Sequence, residues 1–169
     1  MATEMTMQEK LDLAEKNLEI LLEWVGRFDN KSPVVLGIDT GILGLLVTFA
    51  PQVKYWTSWM IIFSILSVIG LGMSFLFVYF SSYPQTKGPR KSLFYFGSIA
   101  KNSFAEYQQA FLKRNIEEHL IDILEQCHRN SEIVNTKFWC LKWAYRTLIF
   151  SVFTSAFTIY LFRSVILVL

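Results

Sequence analysis

The chain has 169 residues, of which 53% are hydrophobic, 16% aromatic and only 18% charged, with a formal net charge of +2. Ordinary soluble domains are about 45–50% apolar and about 25% charged, so this composition excludes a typical water-soluble globule of the same size. The apolar surplus is also concentrated in a few long runs, which points to membrane spans.

In chain order, residues 7–28 read first as an amphipathic helix. Leu11, Ala14, Leu18, Leu21, Val25 and Phe28 recur at spacings of three and four, and Glu9, Lys10, Asp12, Glu15, Lys16 and Glu19 occupy the other faces. Acids are as frequent as bases on the polar side, whereas a helix lying on anionic lipid carries mainly Lys and Arg. Its apolar face is therefore expected to pack on protein. Residues 1–31 form a cytosolic segment in this reading.

The run from Pro33 to Ala50 is 18 residues long, just enough to cross a hydrocarbon core about 30 Å thick. Pro33 stands where proline favours a first helical turn, and Pro51 follows the end. About 30 polar and charged residues precede the run, which argues against a short secretory signal peptide. Asp39 lies inside this span, about 9 Å along the helix from Pro33, where a carboxylate costs on the order of 2.5–3.5 kcal/mol unless it faces water or a partner. From Tyr55 to Phe80, 26 residues carry no Asp, Glu, Lys or Arg, giving a second span. The spans at 33–50 and 55–80, with a short outer turn, make up residues 32–81.

Residues 82–144 read as a loop followed by helices. The stretch SSYPQTKGPRKSLFYFGSIAKN opens with turn residues and with Lys87, Arg90 and Lys91, then turns aromatic before Gly97. Its cations suit anionic lipid headgroups, with Leu93, Phe94 and Phe96 tucked into a helical bundle. Its cations, rings and Asn102 together also suit a phosphorylated base, since guanidinium and ammonium groups take phosphate while rings stack on bases. Ser103 and Glu106 form a Ser-x-x-Glu capping box that opens a short helix to about Arg114. From Glu117 onward Leu120, Leu124, Cys127, Ser131, Val134, Phe138, Leu141 and Tyr145 keep the same spacing, with no Gly or Pro before the last apolar run. One helix of about 50 residues is expected, near 75 Å if unbroken. Its end, residues 145–169, is a third span whose only charges, Arg146 and Arg163, lie near the edges where long cations reach water.

Arg27, Lys31, Lys87, Arg90, Lys91, Lys101, Lys142 and Arg146 flank the spans on one side, and only Lys54 and Arg163 on the other. The basic side is cytoplasmic by this rule, so the amino terminus and residues 82–144 face the cytosol and the carboxyl terminus faces outward. The expected fold is an all-α membrane protein: three transmembrane helices plus a cytosolic helical bundle, with the last helix long and continuous into the membrane.

Catalytic chemistry is not expected, because the chain carries no Gly-rich phosphate loop, no nucleophile elbow and no metal-spaced pair of His and Cys. His119 and His128, nine residues apart, fall on opposed helix faces. Cys127 and Cys140, thirteen apart, suit neither a disulfide nor a metal site. No metal or resident cofactor is expected, and three spans without internal duplication do not suit a transporter of inverted repeats.

The order RFDNKSPVVLGIDTGILGLL, two spans, then FYFGSIAKNSFAEYQQAFLKRNIEEHLIDILEQCHRNSEIVNTKFWCLKWAYRTLIFS resembles the transmembrane effector family of bacterial Pycsar antiphage systems over nearly the whole chain. The local marks are Asp29 and Lys31, Phe96 and Gly97, Glu106 and Tyr107, and a late series of Asn130, Lys137 and Ala144. Pro33 departs from the small helix-forming residue expected after the Asp-x-Lys. The resemblance implies an effector downstream of a nucleotidyl cyclase or related nucleotidyltransferase. On phage infection it would answer a nucleotide messenger by permeabilising the inner membrane. CBASS and Hailong systems place similar small helical membrane proteins in the same role, so the messenger is either a cyclic pyrimidine mononucleotide or an oligonucleotide.

With the resemblance, two placements of Asp39 stand level. It forms a ring in an oligomeric pore also lined by Thr40 and Leu43, or it is buried in a hydrogen bond to a neighbouring helix, through Thr40 or Ser64. Gly41 and Gly44 allow close helix approach beside it. The expected function is a homo-oligomeric nucleotide-gated pore, a tetramer in the first instance, whose messenger contacts are Arg90, Lys91, Tyr95, Lys101, Asn102, Arg114 and Arg129. Its partners are a second copy, the bilayer and the messenger, with no role for duplex nucleic acid. The alternative is a non-conducting membrane scaffold that holds a cytosolic partner such as a nucleotidyltransferase or cyclase.

Overall fold

The computed structural model describes residues 5–83, 88–89 and 92–167, and every regular element among them is helical. The helices are α1 (Met7–Phe49), α2 (Ser58–Ser82), α3 (Phe96–Ile99), α4 (Phe104–Lys113) and α5 (Ile116–Ile166), with one 3₁₀ turn at Val53–Tyr55. Three of them, α1, α2 and α5, are long and apolar enough to cross a membrane. Internal contacts divide the chain into two compact units, Met1–Arg27 with Pro84–Thr136, and Phe28–Tyr83 with Lys137–Leu169. Both α1 and α5 contribute residues to each unit.

The three long helices obey one rule. In α1 the positions 11, 14, 18, 21, 25, 28, 32, 35, 39, 42, 46 and 49 are all buried or half-buried, an unbroken alternation of three and four. In α2 the same alternation runs through 60, 64, 67, 71, 74, 78 and 81, and in α5 from 120 through 123, 127, 130 and 134 to 155, 158 and 162. A strict seven-residue period keeps one seam facing its partners along the whole length of a helix. In the first unit the seams close a core of Leu11, Ala14 and Ile123, with Leu18, Leu120 and Cys127 packed against it. In the second, Phe28, Val35, Leu46, Leu71, Val78, Leu141, Ala144 and Leu148 form the core.

Pro33 does not open a helix of its own. α1 runs through it, because Pro33 lies off the seam on an exposed face while Phe28 and Val35 on either side are fully buried. The ring removes one backbone hydrogen bond and costs roughly 3 kcal/mol, which the seam packing on both sides offsets. The Asp29 carbonyl left without a helical donor belongs to an exposed residue, where water can satisfy it.

The length expected of the last helix is observed, but its seam differs at alternate positions. Leu120, Cys127, Val134 and Leu141 lie on it as expected, whereas Ile123, Asn130, Lys137 and Ala144 replace Leu124, Ser131, Phe138 and Tyr145. Ile123 is 3% exposed and Leu124 50%. Apolarity does not separate Ile123 from Leu124, and the seam elsewhere takes Asn130, Lys137 and the small Ala144 in place of Ser131, Phe138 and Tyr145, small residues being what lets helices approach closely. The Ser103–Glu106 capping box forms as expected: the Ser103 N–H donates to Glu106 Oε2 at 2.8 Å and the Glu106 N–H to Ser103 Oγ at 3.3 Å.

Candidate functional site

In the first unit a buried carboxylate organises the connection between α2 and α5. Asp122 stands one residue from the apolar seam of α5 and is 3% exposed. Its Oδ2 accepts the Leu93 N–H at 2.9 Å and Arg114 Nη1 at 2.7 Å, and its Oδ1 accepts Gln126 Nε2 at 3.3 Å. Burial alone would raise its pKa, but hydrogen bonds from Ser92 and Leu93 together with the Arg114 guanidinium hold the carboxyl below the usual carboxylate range. Ser92 Oγ in turn accepts the N–H groups of Phe94 and Tyr95 at 3.1 and 3.0 Å. One carboxylate thus anchors the 92–95 stretch on α5.

Arg114, at the carboxyl end of α4, is the cation of this cluster. Its side chain is 14% exposed, and Nη2 also donates to the Glu118 carbonyl at 2.9 Å. It lines a groove of about 460 Å³ with Ser92, Leu93 and the acids Glu118, Asp122 and Glu125, and a smaller recess of about 270 Å³ with Phe94, Phe111 and His119. The Phe94 and His119 rings meet at 4.9 Å, and the guanidinium carbon lies 5.9 Å from the Phe94 centroid. A guanidinium beside a partly open ring has the chemistry to take a phosphate and stack a base.

The other expected contacts are dispersed. Tyr95 is half-buried over Gly97 and Gly88, where a Cβ at either glycine would come within 2.6 Å of its ring. Lys101 and Asn102 stand exposed just after α3. Arg129 pairs with Glu132 at 2.8 Å and lines a separate groove with Gly88, Pro89, Glu125 and His128. Arg90, Lys91 and Lys87 lie outside the described residues. Asp122 and Ser92 were not expected; the signal for Asp122 was an acid set between Leu120 and Ile123 on an apolar seam.

In the second unit Asp39 occupies a seam position of α1 and is 5% exposed. Its Oδ2 accepts the Ser74 hydroxyl at 2.8 Å, and its Oδ1 has no hydrogen-bond partner. The partner is thus Ser74, neither Thr40 nor Ser64. Thr40 donates to the Leu36 carbonyl at 2.7 Å and is exposed, as is Leu43. These two share the outward side of α1 with Gly37, Gly41 and Gly44, where an added Cβ would meet nothing within 4 Å. The expected pore residues therefore separate, with Asp39 turned into its bundle and Thr40 and Leu43 turned out.

Several marks of the resemblance have structural work in common. Lys137 Nζ pairs with Asp29 Oδ1 at 3.0 Å and lies 4.4 Å from the Phe28 ring centroid. Asn130, Lys137 and Ala144 are successive positions, seven apart, on the α5 seam. Gly97 gives Tyr95 room, and Glu106 closes the capping box of α4. The family described as Pycsar effector protein domain matches residues 13–163. The chain belongs to this family. As a Pycsar effector it is an antiphage defence effector, and the matched residues take in most of both units. No curated protein and no solved structure matches the chain. Within the Pycsar effector domain, Asp29 and Lys137 are far apart in sequence and adjacent in space, which gives the order and spacing of those marks a physical basis.

Proposed function

We propose that the chain is a homo-oligomeric, nucleotide-gated pore that permeabilises the bacterial inner membrane on phage infection. The observation that carries the gating half is Arg114, a guanidinium held by Asp122 at the meeting of two recesses and beside the Phe94 ring. A groove of about 460 Å³ falls in the usual range for small-ligand sites, and Arg114, which it shares with the smaller recess that holds the Phe94 ring, suits the phosphate of a cyclic pyrimidine mononucleotide or the end of an oligonucleotide. The phosphate would compete with the Asp122 carboxylate for Arg114 and so loosen the 92–95 stretch from α5. Because α5 is one unbroken helix from Ile116 to Ile166, a displacement at its start reaches the spans. Messenger shifts the equilibrium only through its differential affinity for closed and open states.

Self-association is supported by the outward side of α1, where Gly37, Gly41 and Gly44 leave room for a second helix at close range. The amino terminus and residues 82–144 lie in the cytosol, where the messenger is made, and the carboxyl terminus lies outside. The test is ion flux through proteoliposomes with and without a panel of cyclic mononucleotides, cyclic dinucleotides and short oligonucleotides. Flux switched on by one compound is the expected result.

A second reading is favoured by the exposed Phe104, Phe111, Leu112 and Ile116 of α4 and early α5, an apolar surface suited to a protein partner. In that reading the chain is a non-conducting scaffold for a nucleotidyltransferase or cyclase. Silence of the folded, reconstituted protein with every nucleotide, together with a stable complex with that enzyme, would select it.

A further inference from the structure

The membrane-spanning part of the seams is hydroxyl-rich. On α2, Ser67, Ser74 and Ser81 follow one another every seven residues, with Ser64 one step further along, and on α5 Ser151, Ser155 and Thr158 occupy the facing seam. From Ser64 to Ser81 the stripe is about 26 Å long, close to the thickness of a hydrocarbon core. Polar residues in membrane helices often act only as glue between helices, and glue is made by a hydroxyl that donates across the interface. Here most do not. Ser67 donates to the Phe63 carbonyl, Ser151 to Thr147, Thr158 to Thr154 and Ser81 to Val78, each within its own helix at 2.8–2.9 Å. Ser67 Oγ and Thr158 Oγ1 also meet across the interface at 3.5 Å, a long contact in which either hydroxyl can donate. Ser74 makes the shorter contact across, donating to Asp39 Oδ2 at 2.8 Å.

A hydroxyl whose proton is committed to its own backbone offers only lone pairs to its neighbours. The seam is therefore rich in acceptors at Ser67, Ser81, Ser151 and Thr158, and two further observations show that it is not self-satisfied. Asp39 Oδ1 and Ser155 Oγ, both on residues more than nine-tenths buried, have no partner at all. A lining of lone pairs with one carboxylate is matched to cations and hydrated protons and mismatched to anions. It is shut in this conformation, because Gly70 packs so closely on Ser151 that a methyl group there would collide with Ser151 Oγ.

We infer that this hydroxyl seam, and not the outward face of α1, lines the ion path of the open state, and that the path takes monovalent cations. The inference rests on the pore reading and adds where the pore wall is. Opening parts α2 from α5 at the Gly70–Ser151 contact, and water entering the seam satisfies Asp39 Oδ1 and Ser155 Oγ.

The experiment is thiol accessibility during flux, in a Cys127→Ala, Cys140→Ala chain shown to keep the flux of the natural one. Ser74→Cys, Ser151→Cys and Thr158→Cys are near-isosteric and probe the seam; Thr40→Cys and Gly44→Cys probe the outward face. A small cationic methanethiosulfonate reagent is added with and without the activating nucleotide. Loss of flux through modification of the seam cysteines, only when nucleotide is present, is the expected result. Flux that persists with the seam cysteines unmodified, or that is lost through Thr40→Cys or Gly44→Cys instead, overturns the proposal while leaving the pore reading intact. Absence of flux from the natural chain under every nucleotide defeats the pore reading, and this inference with it.

Discussion

Two buried aspartates divide the molecule's chemistry between its two units. Asp122 is surrounded: Arg114, Gln126, Ser92 and the Leu93 N–H all donate to it. Asp39, equally buried, has Ser74 at one oxygen and nothing at the other. A buried carboxylate with a full set of donors is a structural clasp, whereas a half-satisfied one keeps a standing free-energy penalty that water or a cation would relieve. In the proposed pore the clasp is what the messenger opens, and the unmet demand lies on the proposed ion path. Variants in either aspartate's surroundings strain one side of that contrast.

The largest effect is expected from Arg114→Ala, which leaves Asp122 buried without its cation. Breaking a buried pair from one side costs about 3–5 kcal/mol, so the melting temperature in detergent should fall by several degrees and nucleotide-dependent flux should be lost. Arg114→Lys should recover much of the stability and little of the nucleotide response, because a point charge cannot reproduce a planar fork. If both variants respond to nucleotide like the natural chain, Arg114 is not a messenger contact.

Acid should act on the same side of the comparison. The folded-state pKa of Asp122 lies below its ordinary value of about 3.9, so its clasp contributes stability above that value and loses it as pH falls through the lower, folded one. Thermal unfolding of the first unit should be insensitive to this group between pH 7 and 5 and should weaken below about pH 4. Asp122→Asn should flatten that slope. An unchanged slope would place the acid sensitivity elsewhere.

On the membrane side, Gly70→Ala forces a methyl group against Ser151 Oγ. Overpacking of this kind costs about 1–3 kcal/mol, here charged to the closed conformation, so less nucleotide should be needed for half-maximal flux. A variant that needs more would show that Gly70 and Ser151 stay in contact when the path is open. The smallest effect belongs to Asp29→Asn: its pair with Lys137 has one exposed partner and such pairs contribute about 0–1 kcal/mol. Melting should move by a degree or two, and a loss of several degrees would assign the pair a larger part in holding α1 to α5.

The contrast between the aspartates was only half legible in the sequence. The three long helices were readable from apolar periodicity and from runs without charge, and the capping box from Ser103 and Glu106 alone. The seam of α1 was read correctly from Leu11 to Phe28 because its residues are plainly apolar there. Beyond Phe28 it continues through Ser32 and Asp39, and on α5 through Asn130, Lys137, Ser151 and Thr158. A rule that expects apolar residues at buried positions loses such a seam where its polar residues begin. Pro33 misled for a related reason, since its position outside the seam, and not its identity, decides whether the helix survives it. For Asp39 the acid and its depth were visible, but its partner depended on how α2 is rotated, which a nearly uniform apolar span does not record. The serine triplet at 67, 74 and 81 carried that information in its spacing of seven.

The most direct test is the reversal potential of the nucleotide-activated conductance across a planar bilayer with a potassium chloride gradient, for the natural chain and for Asp39→Asn. The account predicts a potential near the potassium equilibrium value for the natural chain and one shifted toward zero for Asp39→Asn, with assembly unchanged. A potential near the chloride value, or the same cation preference in both proteins, would contradict an ion path whose selectivity comes from the half-satisfied carboxylate.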